Sequence, residues 1–458
     1  MILFRLLGVL ALASAATADV TLARRGPTRP NDDSFYHPKG DWKSKEPGTI
    51  LDSRQIDPAV ATFFDMGVYG HQLLYRTNGV NEDTPMATVV SVLVPEKYDH
   101  DKIVTVNAYQ DSFSDKCAPS YTLQKGAQLF KNLAFTYQQL FMLTLLNEGW
   151  VVVVPDHEGP DSAFTSGFVE GHAVLDAVRA TLKFDKVNLK KNAKVIGYGY
   201  SGGALATGWA AALHSSYAPD LNVVGWALGG TVANVKEWFK YIDGSAGAGF
   251  VMAGIGGIVE SYKELGWIKD MRTSAGKKAW KDSQGLCMLE NLWHFSDEKI
   301  LSSKYFKYGD TYLNNDDVTS VLDTLTLGSD NNLTPSAPMY MFHASHDEVV
   351  PYWMALDAAQ NWCRNGAKIH FVTNTGGEMV HQNTELYNHP DVIKFMRRRF
   401  GGKSFVSECK FDTVHNPWFN PFTLGKSAAQ FVQQVLDLLT GSFSAKDEVY
   451  HYDKKTSA

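Results

Sequence analysis

A serine flanked by glycines follows an apolar run of the chain, in the order Gly199-Tyr200-Ser201-Gly202-Gly203. Residues 194–198 before it are typical of a buried strand, and residues 203–212 after it have the small side chains of a closely packed helix. A strand that turns into a helix this abruptly holds its serine in a strained conformation with the hydroxyl exposed. Glycines on both sides remove Cβ atoms that would collide in the turn. The pattern predicts a nucleophile elbow with Ser201 as the nucleophile.

Strand-like and helix-like segments alternate along most of the chain. The pattern predicts strands at 86–95, 103–109, 150–155, 194–198, 223–228, 338–343 and 368–372, and helices at 136–148 and 171–184. Continuous apolar strands of this kind are typical of parallel sheets that are buried on both faces. We therefore expect an α/β protein with the α/β-hydrolase fold, in which a mostly parallel sheet is doubly wound.

Asp347 is the predicted catalytic acid. In an α/β-hydrolase the acid and then the histidine follow the serine along the chain, each in a loop after a strand. Asp347 directly follows the strand predicted at 338–343, which fits that place. Glu348 could replace it in principle, and Asp347 could instead cap a helix that begins at Tyr352.

His381 is the predicted base, because it lies in the loop after the last predicted strand and the glycines at 376–377 let that loop turn back. Three other histidines are rival candidates for the base: His343, His346 and His389. The first is typical of a core residue within a strand, the second precedes the acid, and the third stands before Pro390 at the expected start of a helix. A metal site built on the first two has no third ligand at a suitable spacing, so no metal is predicted.

The predicted chemistry is acyl transfer to a serine. His381 takes the proton of Ser201 as its oxygen attacks an ester carbonyl, while Asp347 orients the imidazole and stabilises its charge. The oxyanion that forms requires preorganised donors. The backbone N–H of Gly202 is expected to be one, and the loop at 109–112 is expected to supply the other.

A long segment at 231–334 contains no comparable strand and is predicted to be a helical cap inserted into the core. The core then spans 19–230 and 335–445, followed by a short tail at 446–458. Within the cap, the glycine-rich run at 244–259 has two interpretations. It is either the wall of an acyl-binding groove or lipid-facing lid, or an ordinary buried helix.

The first 18 residues have a positive charge, an apolar stretch and a small-x-small site, which together predict a secretory signal peptide. The apolar stretch is too short to span a bilayer, and no later stretch is long enough, so we expect a secreted protein without a transmembrane segment. Arg24-Arg25 is either a dibasic processing site or an exposed pair. The net charge of −6 comes without a basic stripe, which argues against a nucleic-acid partner. A monomer is the default expectation.

Four cysteines in a secreted chain favour two disulfides, and spacing alone leaves three pairings open. The cysteines are too far apart in sequence for a zinc cluster. Asn332, in Asn332-Leu333-Thr334, is a predicted glycosylation site.

Several runs of the chain together resemble the fungal secretory lipases, the lipase A-like enzymes of yeasts, over about residues 48–440. The runs that carry the resemblance lie at 108–112, 117–121, 155–161, 171–179 and 199–204. This sequence differs modestly from the family pattern in the acid loop and more widely in the glycine-rich cap segment. The resemblance therefore implies nothing about which acyl chain length this protein prefers.

The resemblance implies hydrolysis of triacylglycerols and other fatty acyl esters at an oil-water interface, without a cofactor. It implies a triad of Ser201, Asp347 and His381, with Asp111 and Gly202 as oxyanion donors. It also implies two disulfides, Cys117–Cys287 and Cys363–Cys409, of which the first tethers the cap to the core. A carboxylesterase of shorter acyl chains, a secreted serine peptidase and a catalytically silent binding module are the alternatives to a lipase.

Overall fold

The computed structural model describes residues 26–62, 67–127, 133–377 and 379–415. All of them belong to one compact unit, Gly26–Trp418. Four predicted features lie outside the described residues: the signal peptide at 1–18, Arg24-Arg25, the end of the core at 416–445 and the tail at 446–458.

A ten-stranded mixed sheet runs through the described part of the chain. Its strands, numbered along the chain, are β1 (Ile50–Ile56), β2 (Val68–Asn78), β3 (Pro85–Pro95), β4 (Lys102–Asn107), β5 (Val151–Pro155), β6 (Lys194–Tyr200), β7 (Val223–Gly229), β8 (Met339–Ala344), β9 (Ile369–Thr375) and β10 (Lys410–His415). Their order is β1-β2-β3-β5-β4-β6-β7-β8-β9-β10. The strands from β5 to β10 are parallel, whereas β1, β2 and β3 pair antiparallel. The expectation of a mostly parallel α/β sheet is confirmed.

Helices lie between the strands along the chain, and those outside the segment from β7 to β8 pack against the sheet. Numbered along the chain, they are α1 (Pro119–Thr122), α2 (Leu133–Asn147), α3 (Gly167–Leu182), α4 (Gly202–Tyr217), α5 (Val235–Ile242), α6 (Ala248–Ser261), α7 (Ile268–Met271), α8 (Ser274–Ser283), α9 (Met288–His294), α10 (Asp316–Thr324), α11 (Tyr352–Arg364) and α12 (His381–Phe400). Helix α3 packs on α4 and β2, α11 packs on β8 and β9, and α12 packs on β7 and β8.

Burial of the strands explains why their sequences are so apolar. Every residue of β5 and of β8 is buried, as expected for parallel strands that are covered on both faces. Strand β10 lies at the edge of the sheet, and all of its residues except Asp412 are exposed. The apolar runs in the sequence therefore mark the inner strands.

The parallel arrangement also positions the candidate site. Because β4, β6, β8 and β9 run in one direction, their carboxyl ends lie at one edge of the sheet. The segments that follow these strands contain Asp111, Ser201, Asp347 and His381 in that order, and His381 is the first residue of α12 instead of a loop residue as predicted. Residues that are far apart in sequence therefore meet at one edge.

The segment between β7 and β8 is helical, with α5 to α10 and no strand of the sheet in this fully described stretch. Its two ends come together, because Asn234 and Thr326 form an isolated antiparallel bridge. In the glycine-rich run, α6 is buried from Ala248 to Val259. It is a buried helix, and a role in an acyl groove stays a prediction.

Several helix boundaries differ from the sequence prediction, and the helix predicted at 136–148 is α2 at Leu133–Asn147. Helix α3 begins at Gly167, four residues before the predicted start at 171. His389 and Pro390 do not begin a helix, because both lie inside α12, which runs from His381 to Phe400. The predicted start was therefore wrong. A proline removes one helical hydrogen bond, but α12 packs on β7 and β8, and this packing outweighs the loss.

Two disulfides connect distant segments of the described chain. Cys117, after β4, is bonded to Cys287 at the start of α9, with the Cα atoms 5.5 Å apart. Cys363 in α11 is bonded to Cys409 just before β10, with the Cα atoms 6.0 Å apart. Both pairings are the ones that the resemblance implies. The first one links the core to the helical insertion.

Gly197 in β6 lies against the buried ring of Trp226 in β7, and a Cβ at Gly197 would be 2.3 Å from that ring. We expect Gly197→Ala to lower the free energy of unfolding by about 1–3 kcal/mol, because the core cannot take the added methyl group. Gly377→Ala is the matched control, since a Cβ there meets no described atom within 4 Å. Urea denaturation measures both, and equal stability of the two variants would contradict the packing.

Candidate active site

The turn between β6 and α4 holds Ser201 in an unusual conformation, with φ of 55° and ψ of −124°. A Cβ at Gly199 would lie 2.1 Å from the carbonyl oxygen of Gly203, and a Cβ at Gly203 would lie 1.9 Å from that of Asn107. Both neighbours are backbone atoms and cannot move aside. Glycine is therefore required at both positions, which is the reason for the sequence pattern around the serine.

A chain of hydrogen bonds connects the serine to a histidine and a carboxylate. Nε2 of His381 lies 2.9 Å from Oγ of Ser201, and Nδ1 of the same ring lies 2.7 Å from Oδ2 of Asp347. Asp347 follows β8, and His381 is the first residue of α12, after β9. The structure thus brings together the three residues that the sequence pattern selected.

Asp347 is fixed by its own backbone as well as by the histidine. Its Oδ1 accepts the N–H groups of Val349 at 2.9 Å and Val350 at 2.7 Å. Burial raises the pKa of Asp347, but the charge of His381 and hydrogen bonds from His343 and His381 outweigh it and hold the pKa well below its usual range. The carboxylate is therefore charged over the whole working pH range.

The contact between Asp347 and His381 lowers the pKa of the aspartate and raises that of the histidine. Burial lowers the pKa of His381, whereas the charge and hydrogen bond of Asp347 raise it, and the net pKa is above its ordinary value. His381 is thus a stronger base than a free imidazole, which suits it to accept the serine proton.

Glu348, the alternative acid, has a different contact. Its Oε2 accepts the backbone N–H of His381 at 2.9 Å and thereby holds the first residue of α12. The side chain is exposed. Its place at the helix N-terminus is favourable for a negative charge.

Each rival histidine has contacts of its own, and Nε2 of His343 also lies 3.3 Å from Oδ2 of Asp347. Nε2 of His343 lies 3.0 Å from the carbonyl oxygen of Val350, and Nδ1 of His346 lies 2.9 Å from Oγ of Ser345. His389 contacts Oγ1 of Thr144, and burial lowers its pKa to about 3. Across the described residues, no group of three or more potential ligands could hold a metal ion.

Gly202 and Asp111 lie side by side next to the serine, and the backbone N–H of Asp111 is already engaged. The N–H of Asp111 donates to Oε1 of Glu158 at 2.8 Å. Its carboxyl lies against Gly202, where a Cβ would be 1.8 Å from Oδ1. Burial, together with the charge of Glu170, raises the pKa of Asp111 to about 7. Near neutral pH a substantial fraction of Asp111 is therefore in the protonated form, which carries an O–H.

Glu158 is a residue that the sequence reasoning missed. The run at 155–161 contributed only to the family resemblance, although it places three titratable residues, 156–158, directly after a buried strand. All three are buried. The signal that could have found Glu158 was this run of titratable residues, because it follows a buried strand at the same edge of the sheet as the serine.

The fold and the site together define an α/β-hydrolase. A family model described as secretory lipase matches residues 123–408. Secreted triacylglycerol lipase LIP2 of Malassezia furfur is 53% identical over 444 residues, covering 96% of this chain and 95% of the relative. Secreted triacylglycerol lipase LIP7 of Malassezia globosa is 47% identical, with coverages of 98% and 96%. The chain belongs to the secretory lipase family.

Solved structures agree with this assignment. Lipase A of Candida antarctica, in its closed state, superposes with a TM-score of 0.81 at 28% identity, covering 89% of this chain and 96% of that one. The relatives are named as secreted lipases, which confirms the expectation of secretion. Among the described residues, no helix has the length and apolarity to cross a membrane.

Amide substitutions distinguish the roles of the neighbouring carboxylates Asp347 and Glu348. We expect Asp347→Asn to lower kcat by roughly 10⁴-fold, because an amide at that position favours the wrong imidazole tautomer. Glu348→Gln should have a much smaller effect, since the amide oxygen can still accept the N–H of His381. Initial rates on a soluble p-nitrophenyl ester measure both variants. A larger loss in Glu348→Gln than in Asp347→Asn would show that the acid is misassigned.

Proposed function

We propose that this protein is a secreted lipase that hydrolyses triacylglycerols and other fatty acyl esters through an acyl-enzyme on Ser201. The observation that carries the proposal is the unbroken line of hydrogen bonds from Ser201 through His381 to Asp347. Its chemistry is that of a serine esterase. The relatives named as triacylglycerol lipases, which match nearly the full chain, support the substrate class.

In the proposed acylation step, Oγ of Ser201 bonds to the ester carbonyl carbon while Nε2 of His381 takes its proton. The tetrahedral intermediate collapses, and the imidazolium gives the proton to the departing alcohol oxygen. Water then repeats the sequence on the acyl-enzyme and releases the fatty acid. Asp347 stays ionised throughout and stabilises the imidazolium.

Two donors stabilise the oxyanion in this proposal. Gly202 is the first residue of α4, so its N–H has no acceptor within the helix and lies at the positive end of the helix dipole. The carboxylic acid of Asp111 is the second donor. A neutral acid that donates to an oxyanion requires a raised pKa, and burial beside Glu170 provides it.

The domain division belongs to the same proposal, with a core at 19–230 and 335–445 and a cap at 231–334 over the carboxyl edge of the sheet. The cap contacts the acid loop, because Nε1 of Trp238 donates to the carbonyl oxygen of Val349 at 2.9 Å. The reaction requires no cofactor. We further propose a monomer, with a glycan on Asn332, whose side chain is exposed.

Rates on p-nitrophenyl esters from acetyl to palmitoyl, and on an emulsified triglyceride, test the substrate class. A lipase should act on the emulsion and on long acyl chains, and Ser201→Ala should abolish both activities because it removes the nucleophile. Preference for acetyl esters without action on the emulsion would instead indicate a carboxylesterase. Cleavage of a peptide substrate alone would indicate a peptidase, and full ester cleavage by Ser201→Ala would refute the site.

The pH profile tests the acid form of Asp111. Activity should fall at low pH as His381 takes a proton, and fall again as pH rises through the pKa of Asp111, about 7, because the carboxylate has no O–H to donate. Asp111→Asn keeps an N–H donor that does not titrate, so the alkaline decline should disappear. Asp111→Ala should lower kcat by about 10²–10³-fold. An alkaline decline that persists unchanged in Asp111→Asn would refute this role.

A further inference from the structure

Glu158 is a fully buried carboxyl group that binds the loop carrying Asp111. Its Oε1 accepts the N–H of Asp111 at 2.8 Å. The side chain is 0% exposed. Glu158 follows β5 and the loop follows β4, and these strands are parallel neighbours. Both segments therefore leave the sheet at the same edge, which lets the side chain of one reach a backbone amide of the other.

The backbone at Asp111 requires such a partner. Its φ is 46°, in the left-handed region that residues other than glycine seldom adopt. Strained conformations persist only where the surrounding structure determines them strongly. The hydrogen bond from the N–H of Asp111 to Oε1 of Glu158 is a contact that holds this conformation.

This arrangement decides which part of Asp111 can face an oxyanion. With its N–H turned to Glu158, the residue presents its carboxyl to Gly202, where a Cβ would be 1.8 Å from Oδ1. That Oδ1 is buried and has no hydrogen-bond partner among the described residues. A buried polar atom without a partner is costly, and a substrate oxyanion beside a protonated carboxyl group would provide one.

We propose that Glu158 is a positioning residue that holds the carboxyl of Asp111 against Gly202 in the geometry needed to donate to the oxyanion. The inference rests on the proposed function, because it assigns Glu158 a role only if Asp111 is an oxyanion donor. Glu158 itself does not contact the reacting atoms. Its effect is therefore on kcat through Asp111.

A second buried pair holds the same loop at another point. Nε2 of His157 donates to the carbonyl oxygen of Ala108 at 2.8 Å, and its Nδ1 lies 3.3 Å from Oε2 of Glu170. This pair anchors the start of the loop, while Glu158 binds its turn. Changing Glu158 alone should thus leave the loop attached and shift the carboxyl of Asp111.

Three substitutions of Glu158 in the full secreted chain test the proposal. Glu158→Met removes the acceptor at nearly constant length, and we expect kcat on p-nitrophenyl butyrate to fall by about 10²-fold with little change in KM, the usual effect of a small misplacement. Glu158→Gln retains an accepting oxygen and should restore most of the activity. Glu158→Asp keeps a carboxyl group on a side chain that is one methylene shorter, and its kcat should lie between those of the other two variants.

Asp176→Asn is the matched control, because Asp176 is also a buried carboxyl, hydrogen-bonded to Thr77 and Tyr217 in a different network. It should lower the unfolding temperature without changing kcat. If Glu158→Met does not fold, Glu158→Asp decides the question. A folded Glu158→Asp or Glu158→Met with wild-type kcat would overturn the proposal.

The Asp111→Ala background distinguishes the two levels of the argument. In that background, Glu158→Met should lower kcat little further, because no carboxyl group remains to be positioned. An equal loss in both backgrounds would make Glu158 a general structural residue and overturn the inference alone. Wild-type activity in Asp111→Ala would instead refute the proposed oxyanion donor, and the inference would fall with it.

Discussion

Ser201 occupies a backbone conformation that only a few surroundings can hold, and these surroundings specify much of the site. Gly199 and Gly203 are required because backbone oxygens occupy the space of their Cβ atoms. The turn ends β6 and begins α4 at once, so the N–H of Gly202 is left free of the helix ladder beside the serine. The parallel sheet then fixes where the other residues must come from, since only loops at its carboxyl edge can reach this point.

The surroundings of two aspartates in this site shift their pKa values in opposite directions. Asp347 accepts two backbone N–H groups and a histidine, so its charged form is stabilised. Asp111 directs its own N–H to Glu158 and is buried near Glu170, so its neutral form is favoured. In the proposed mechanism one carboxyl group must stay charged and the other must donate a hydrogen bond. The difference comes from the neighbouring groups, two histidines at Asp347 and burial beside Glu170 at Asp111, and the residue type is the same.

The sequence predicted the elements whose signal is local. The apolar runs marked the inner strands, and the order of Ser201, Asp347 and His381 followed from the loops after those strands. The position of Glu158 could not be predicted, because its partner at Asp111 lies 47 residues away and is a backbone N–H. The continuation of α12 past Pro390 was also hidden, since packing on the sheet outweighs what a proline indicates locally.

The central claim is that Ser201 is a nucleophile activated by His381, and covalent labelling with an alkyl fluorophosphonate tests it most directly. Mass spectrometry of the digested protein should find one phosphonyl group, on the peptide that contains Ser201. The labelling rate should fall as the pH is lowered and His381 takes a proton. Labelling of a different serine with Ser201 unmodified, or a labelling rate that does not change with pH, would contradict the account.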